Sequence, residues 1–146
     1  MKIPVSVLVV IYTARNEVLL LERADHPGYW QSVTGSLDLI DEPLINAAAR
    51  ELLEETGIDV SQLPEGSLKS MDYCVEYDIY PQWQHRYPPG VLKNTEHWFQ
   101  VQLLDRVPVK LALREHTSSR WESISVAASL CFSPSNRDAI LRLKIK

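Results

Sequence analysis

Apolar residues along this chain occur mostly in short runs that are separated by turn-forming residues. Between residues 4 and 23, two runs rich in Val, Leu and Ile flank Ala14-Arg15-Asn16, which predicts two strands joined by a tight turn. Later runs combine β-branched and aromatic residues over lengths that suit strands. The pattern predicts strands or extended segments at residues 4–13, 17–23, 29–33, 71–80, 97–104 and 120–124.

The apolar positions follow a helical period instead between Pro43 and Gly57. Pro43 suits the first turn of a helix, where its missing N–H matters least, and Gly57 suits the left-handed residue that ends one. We expect the glutamates of this segment to open onto a cleft, beside Ala47 and Ala48. The side chains expected to pack on a sheet, from the opposite face, are Ile45, Ala49, Leu52, Leu53 and Thr56.

A second helix is predicted at residues 135–143, because Ser133 and Pro134 form a typical helix start. Strands, a helix, more strands and a final helix together predict a mixed β-sheet between helices, which is an α/β sandwich. A length of 146 residues suits one such domain, residues 1–146.

Composition and charge narrow the classes of partner. Apolar residues make up 45% of the chain and charged residues 23%, as in ordinary globular domains. The net charge of −4 argues against a protein that grips long nucleic acid, and no apolar run reaches the roughly 18 residues that span a membrane. Cys74 and Cys131 stand alone, so we expect reduced thiols in a cytoplasmic protein rather than a zinc site or a disulfide framework. A small anionic substrate fits this charge, since bound cations can neutralise it locally.

The segment Arg50 to Ile58 carries the strongest chemical signal. Glu51, Glu54 and Glu55 are spaced i, i+3 and i+4, so on a helix their carboxylates share one face and repel each other. A hard divalent cation between them would relieve that repulsion, and Mg²⁺ or Mn²⁺ suits such oxygen ligands. On its own this pattern is more often a solvated acidic face, so the flanking residues decide the interpretation.

The residues around this cluster resemble the Nudix box. That motif runs Gly, five residues, Glu, seven residues, Arg-Glu, an aliphatic residue, any residue, Glu-Glu, any residue, Gly and an aliphatic residue. The matching residues are Glu42, Arg50, Glu51, Leu52, Glu54, Glu55, Gly57 and Ile58. Gly35 departs from the motif, because six residues instead of five separate it from Glu42. Either Asp41 replaces the first glutamate or the loop holds one extra residue, and the spacing to Arg50 favours Glu42.

The resemblance implies a Nudix-type α/β/α sandwich with a mixed β-sheet and an enzyme that hydrolyses a phosphate anhydride. Further segments are similar to the bacterial branch of the family that acts on dihydroneopterin triphosphate in folate biosynthesis. These segments are residues 4–6, 30–35, 85–87, 89–91, 94–96, 115–116 and 135–137. They imply Mg²⁺-dependent release of pyrophosphate, which leaves dihydroneopterin monophosphate. Two alternatives stay open: hydrolysis of ordinary or oxidised (deoxy)nucleoside triphosphates, and a catalytically silent ligand-binding module with this fold.

The resemblance also implies roles for individual side chains. Glu51 and Glu55 are the expected metal ligands, with Glu54 either a third ligand or the base for the attacking water. Glu115, in the polar loop predicted at residues 114–119, is expected to be a further ligand or base. Arg50 is expected to orient a glutamate through a bidentate pair, or to be a structural partner of Glu54 one helical turn away.

The substrate contacts of the resembled branch fall on a further group of residues. Arg23 follows a strand and could pair with phosphate oxygens, while Thr34 offers a hydroxyl beside the acidic helix. Ser135 is equally well explained as a residue of the first helical turn, and Lys2 as a solvated terminal charge. His116 is expected to form a hydrogen bond or to lie at the surface rather than to act as a base. The expected substrate-binding residues are Lys2, Arg23, Thr34 and Ser135.

Overall fold

A computed structural model describes residues 1–143, which form seven strands and three helices. The strands are β1 (Val5–Thr13), β2 (Glu17–Arg23), β3 (Trp30–Gln31), β4 (Val33–Ser36), β5 (Leu68–Asp78), β6 (Lys93–Leu103) and β7 (His116–Ser123). The helices are α1 (Leu44–Thr56), α2 (Ile124–Leu130) and α3 (Pro134–Leu141). Short 3₁₀ turns at Val60–Gln62 and Pro81–Arg86 lie in the connections.

The strands belong to one mixed β-sheet in the order β3-β2-β1-β6-β5, with β4 paired to β1 and β7 paired to β2. β1 and β6 run parallel, from Val5 opposite Thr95 to Thr13 opposite Leu103, and the other pairs are antiparallel. The second edge of β1 is shared, because its first half pairs with β4 and its end pairs with β2. The sheet therefore divides beside β1, and the residues at this division line the cleft described below.

The central strand β1 separates two hydrophobic clusters, as its near-continuous apolar sequence predicts. Val7, Val9 and Ile11 belong to the cluster that α1 covers, whereas Leu8 and Val10 belong to the cluster under α2 and α3. Helices on both faces of a mixed sheet confirm the predicted α/β/α sandwich. Among residues 1–143, no helix is both long enough and apolar enough to span a membrane.

Helix α1 has the predicted ends but only part of the predicted packing face, since Leu52 and Thr56 are buried and Ala49 packs against the core as expected. Gly57 adopts φ +79° and its N–H donates to the Leu53 carbonyl at 2.9 Å, so the helix ends in the left-handed conformation. Ile45 and Leu53, which were expected to pack on the sheet, are each 48% exposed. The buried residues of the helix are Ala47, Ala48, Leu52, Glu55 and Thr56.

Small side chains explain this orientation. Ala47 and Ala48 are fully buried and allow the helix to lie close to the sheet. The face that carries Glu51 and Glu55 is therefore turned towards β4, where it borders a cleft. Ile45 and Leu53 were predicted wrongly, because hydrophobicity ranks Ile and Leu above Ala without regard to how closely two backbones approach.

The C-terminal part differs from the prediction in two places. β7 begins at His116, so residues 116–119, which were expected in a loop, pair with β2. The partner strand orders these polar residues, and their own composition gives no sign of it. Helix α2 was not predicted, because seven residues are too few to show a helical period. Its Ser123 cap accepts a hydrogen bond from the Val126 N–H at 3.4 Å.

We expect Leu52→Ala to lower the free energy of unfolding by about 2–5 kcal/mol, because truncating a fully buried leucine leaves a cavity. The matched control is Leu53→Ala, which removes the same atoms from a half-exposed side chain and should cost much less. Chemical denaturation of both variants measures the difference. Equal losses would contradict the observed orientation of α1.

Candidate active site

The acidic helix and the sheet touch where Glu51 meets Gly35 on β4. A Cβ atom added to Gly35 would lie 2.1 Å from the Glu51 carboxyl carbon and 2.3 Å from Oε1. Such distances are far below van der Waals contact, so any side chain at position 35 would displace the carboxylate. The position of the Glu51 carboxylate in this structure therefore depends on the missing Cβ of Gly35, and not on a turn at that residue.

Arg50 connects the helix to the loop that precedes it. Its Nε and Nη2 donate to the two carboxylate oxygens of Glu42 at 3.1 and 3.0 Å, and Nη2 also donates to the Ser36 carbonyl. Glu42 in turn accepts from the Asp38 N–H at 2.9 Å, which fixes the loop that contains the extra residue. Glu42, rather than Asp41, thus occupies the position of the motif's first glutamate.

Arg50 also holds Glu51, since Nη1 donates to Oε1 of that carboxylate at 2.8 Å. The same Nη1 lies 3.6 Å from Glu54, whose side chain is 55% exposed. Hydrogen bonds to Glu42 and then to Glu51 raise the already high pKa of Arg50 further, so its charge is permanent. Both roles considered for Arg50, orienting a glutamate and pairing along the helix, are present in one side chain.

The two inward-facing glutamates have strongly perturbed acidity. Burial raises the pKa of Glu51 to about 7, although the Arg50 hydrogen bond opposes this. Burial also raises the pKa of Glu55 well above its usual range, and the charges of Glu51 and Glu115 add to the effect. Glu55 Oε2 has no hydrogen-bond partner within residues 1–143. The site therefore contains two adjacent carboxylates that the surrounding positive charges do not fully neutralise.

Glu115 faces the same cleft from the opposite wall. It lies immediately before β7, where its carbonyl accepts from the Ala24 N–H at 2.9 Å and its own N–H donates to the Ala112 carbonyl. Its side chain is exposed and acts electrostatically on Glu55. The residues around this acidic cleft include Lys2, Thr34, Gly35, Glu51, Glu54, Glu55, Arg86 and Glu115.

These residues fit a divalent cation. The Glu55 oxygen has no partner among residues 1–143, and the pKa values of Glu51 and Glu55 are raised first by burial and then by neighbouring carboxylates, so a bound cation would stabilise the ionised forms of both groups. Within residues 1–143, no three Asp, Glu, His or Cys side chains already converge on one point, so binding a cation requires some rotation of these side chains. A divalent metal is also what the resemblance to the Nudix box implies.

His116 is buried behind Glu55 and is not at the surface. The Gln31 Oε1 atom accepts from Arg23 at 3.1 Å, which leaves Gln31 Nε2 to donate to Thr34 and to His116 Nε2, each at 3.2 Å. His116 Nε2 is then an acceptor, so the proton is on Nδ1, which lies 3.6 Å from Glu55 Oε1. Burial, followed by the charge of Arg23, lowers the pKa of His116 to about 4, so the ring is neutral.

A second cavity, which we name the aromatic cavity, adjoins the acidic cleft. Lys2, Thr34 and Arg86 line both spaces, so the two form one continuous site. Its aromatic lining residues are Tyr77, Tyr80, Trp83, Tyr87 and Phe132. Its polar lining residues include Ser6, Arg23, Gln31, Asn94, Glu96, Ser133 and Asn136.

The expected substrate-binding residues do not all lie in the same part of the site. Lys2 and Thr34 lie at the junction of the two spaces, and burial followed by the Arg86 charge lowers the pKa of Lys2. Arg23 lines the aromatic cavity, but its guanidinium is already held by Asp25 through two hydrogen bonds of 2.8 Å. Ser135 is absent from the lining and lies behind it, within 3.0 Å of the Ser133 hydroxyl and hydrogen-bonded to Glu96.

Sequence analysis singled out Lys2, Arg23 and Thr34 but assigned no role to Asn94, Glu96 or Asn136, which line the aromatic cavity. Asn94 and Glu96 are 1% and 2% exposed, and Asn136 is also buried. The available signal was the spacing of Asn94, Glu96 and Trp98, which puts two polar side chains on the same face of β6 as a core tryptophan. Polar residues on a buried face of a strand require partners, which often makes them functional.

Comparison with known proteins agrees with this geometry. The profile of the NUDIX domain matches residues 2–143. The chain is 44% identical to dihydroneopterin triphosphate diphosphatase of Escherichia coli strain K12, over 95% of this chain and 91% of that protein. It is 39% identical to the Haemophilus influenzae protein of the same name, over 92% and 84% of the two chains.

A solved structure gives the same result in three dimensions. The E. coli dihydroneopterin triphosphate pyrophosphohydrolase superposes with a TM-score of 0.89 at 43% identity, covering 97% of this chain and 95% of that one. Domain profile, sequence identity and fold therefore agree, and the chain belongs to the Nudix family.

Proposed function

We propose that this protein hydrolyses dihydroneopterin triphosphate to dihydroneopterin monophosphate and pyrophosphate, with Mg²⁺ as the metal. The observation that carries the proposal is the continuity of the acidic cleft with the aromatic cavity across Lys2, Thr34 and Arg86. A flat bicyclic ring suits the aromatic part, and a triphosphate extending from it would reach the glutamates. The names of the E. coli and H. influenzae relatives support this substrate.

The acidic residues would have distinct tasks in this reaction. Glu51 and Glu55 would hold Mg²⁺, and Arg50 would keep Glu51 oriented through their 2.8 Å hydrogen bond. When bound, Mg²⁺ neutralises phosphate charge and lowers the pKa of coordinated water. Glu54 and Glu115 border the same cleft with exposed side chains, so either could complete the ligand set or accept the proton of the attacking water.

The cationic residues would bind the triphosphate. Lys2 and Arg86 stand between the ring-binding and acidic parts, where phosphate oxygens would pass. Arg86 Nη2 lies 3.1 Å from the Asp25 carboxylate. The same carboxylate also accepts hydrogen bonds from the Arg23 guanidinium. Arg23 would therefore contribute charge and stack on Trp83, 4.2 Å from its ring centre, rather than grip a phosphate with both nitrogens. Thr34 would add a hydroxyl donor.

We expect Mg²⁺-dependent release of one pyrophosphate per dihydroneopterin triphosphate, with a kcat/KM well above those for dATP and 8-oxo-dGTP. Steady-state kinetics on this panel measure the preference, and omission of the metal is the control. A higher kcat/KM for a nucleotide than for dihydroneopterin triphosphate would identify the nucleotide as the preferred substrate. Absence of turnover with every triphosphate would favour a binding module instead.

We expect Glu55→Gln to lower kcat by at least about a hundredfold, because an amide cannot supply the negative charge that a metal requires. The domain should stay folded, since the substitution removes a buried carboxylate whose Oε2 has no partner. Glu65→Gln, at an exposed loop position distant from the cleft, is the matched control. An unchanged kcat in Glu55→Gln would show that Glu55 is not part of the metal site.

We expect the metal-free protein to lose thermal stability between about pH 5 and pH 7. The pKa values of Glu51 and Glu55 are raised on folding, so their stabilising contribution is complete only below their unfolded value of 4.5, and for Glu51 it is lost by the time the pH has risen through about 7. The pKa of His116 is lowered from 6.5 to about 4, so this one group acts oppositely in the lower part of the window and offsets part of the fall there. Melting temperatures across the window measure the fall.

Two comparisons isolate the carboxylates from the rest of the protein. The fall should be smaller in Glu55→Gln, which lacks one of the two groups. Added Mg²⁺ should raise the melting temperature more at pH 8 than at pH 6.5, because the cation competes with protons for the same oxygens. A Mg²⁺ effect independent of pH would show that the cation binds elsewhere.

A further inference from the structure

The wall of the aromatic cavity formed by β1, β5 and β6 contains a chain of buried polar side chains. Ser6 comes from β1, Tyr77 from β5, and Asn94 and Glu96 from β6. Parallel pairing places Ser6 directly opposite Glu96, and antiparallel pairing places Tyr77 opposite Asn94. All four line the cavity, so their hydrogen-bonding groups decide which ligand edges the wall accepts.

The Tyr77 hydroxyl donates its one hydrogen to Glu96 Oε2 at 3.4 Å, so it can only accept from Asn94, and this orients the Asn94 amide. Its Nδ2 donates one hydrogen to Ser6 Oγ at 2.7 Å and the other to the Tyr77 hydroxyl at 3.1 Å. Both hydrogens are thus used, and Oδ1 is buried without a hydrogen-bond partner among residues 1–143. A buried acceptor left unpaired is costly, so this oxygen requires a donor that the described chain does not supply.

Glu96 is also held as an acceptor. The Trp98 indole N–H, which can only donate, lies 3.1 Å from Glu96 Oε1, and the Tyr77 hydroxyl lies 3.4 Å from Oε2. Burial raises the pKa of Glu96, whereas hydrogen bonds from Ser135, Trp98 and Tyr77 lower it. Each oxygen of a carboxylate can accept more than one hydrogen bond, so capacity remains for a ligand.

The walls above this polar row suit a flat ring. Tyr80, Trp83 and Phe132 form a cluster with ring centres 5.3 to 5.9 Å apart. The guanidinium of Arg23 covers a face of Trp83. A ring bound between such walls would present an edge, not a face, to Asn94 and Glu96.

We propose that Asn94 Oδ1 and the Glu96 carboxylate determine substrate specificity by accepting the adjacent N–H groups of a 2-amino-4-oxopyrimidine edge. This inference rests on the proposed function, since the pterin ring of dihydroneopterin carries that edge as its 2-amino group and N3–H. A ring with a carbonyl oxygen at position 2 would place its own hydrogen-bond acceptor against an acceptor of the protein. One hydrogen bond would then be lost. Replacing a donor by an acceptor opposite a buried carboxylate is strongly disfavoured.

Binding of two phosphate-free ligands tests this without depending on hydrolysis. Dihydroneopterin and its 2-oxo analogue, a dihydrolumazine, are titrated into the wild-type protein by calorimetry. We expect the wild type to bind dihydroneopterin at least tenfold more tightly. Glu96→Gln should lose most of that preference, because its amide can turn either a donor or an acceptor to the ligand. Glu76→Gln, exposed on β5 outside the cavity, is the matched control and should keep the preference.

The outcomes separate this inference from the proposed function. Equal binding of both ligands by the wild type, or an unchanged preference in a folded Glu96→Gln, would overturn the inference while leaving turnover of dihydroneopterin triphosphate intact. A wild-type preference without such turnover would support the inference and remove the proposed reaction. If Glu96→Gln does not fold, the wild-type comparison of the two ligands still decides the question.

Discussion

The contact between Gly35 and Glu51 is the constraint on which the acidic site depends. Because Gly35 has no Cβ, the Glu51 carboxylate occupies space that any other residue would fill. The same approach buries Glu55 and raises the pKa of both glutamates. The helix therefore packs its charged face inward at a cost in stability, which Arg50 offsets in part and a bound cation would offset further.

This packing explains why the sequence predicted the ends of α1 but only part of its packing face. The ends follow from local chemistry, since Gly57 takes a left-handed conformation without strain. The packing face depends on which side chains allow the helix to approach β4, and Ala47 and Ala48 are buried there while Leu53 remains half exposed. The glutamates border a cleft, as expected, but Glu55 is also buried, which helical spacing alone did not indicate.

The polar wall of the aromatic cavity was not predicted for a different reason. Its polar wall exists only because β1 pairs with β6 in one particular register, which brings Ser6 to within 2.7 Å of an amide 88 residues away. Nothing local in the sequence specifies such a pairing. The strands themselves were predictable from apolar runs. Short elements such as α2, and the polar start of β7, acquire their structure from neighbours that sequence cannot place.

The two halves of the site are physically connected through Gln31. Arg23, in the aromatic cavity, fixes the direction of the Gln31 amide, and the amide fixes the tautomer of His116. The Nδ1–H that results lies 3.6 Å from Glu55 Oε1, too far for a hydrogen bond. Because the ring is neutral, it adds no positive charge that would compete with a cation bound at Glu55 under the proposed function. One series of neighbouring side chains thus extends from Arg23 in the aromatic cavity to Glu55 in the acidic cleft.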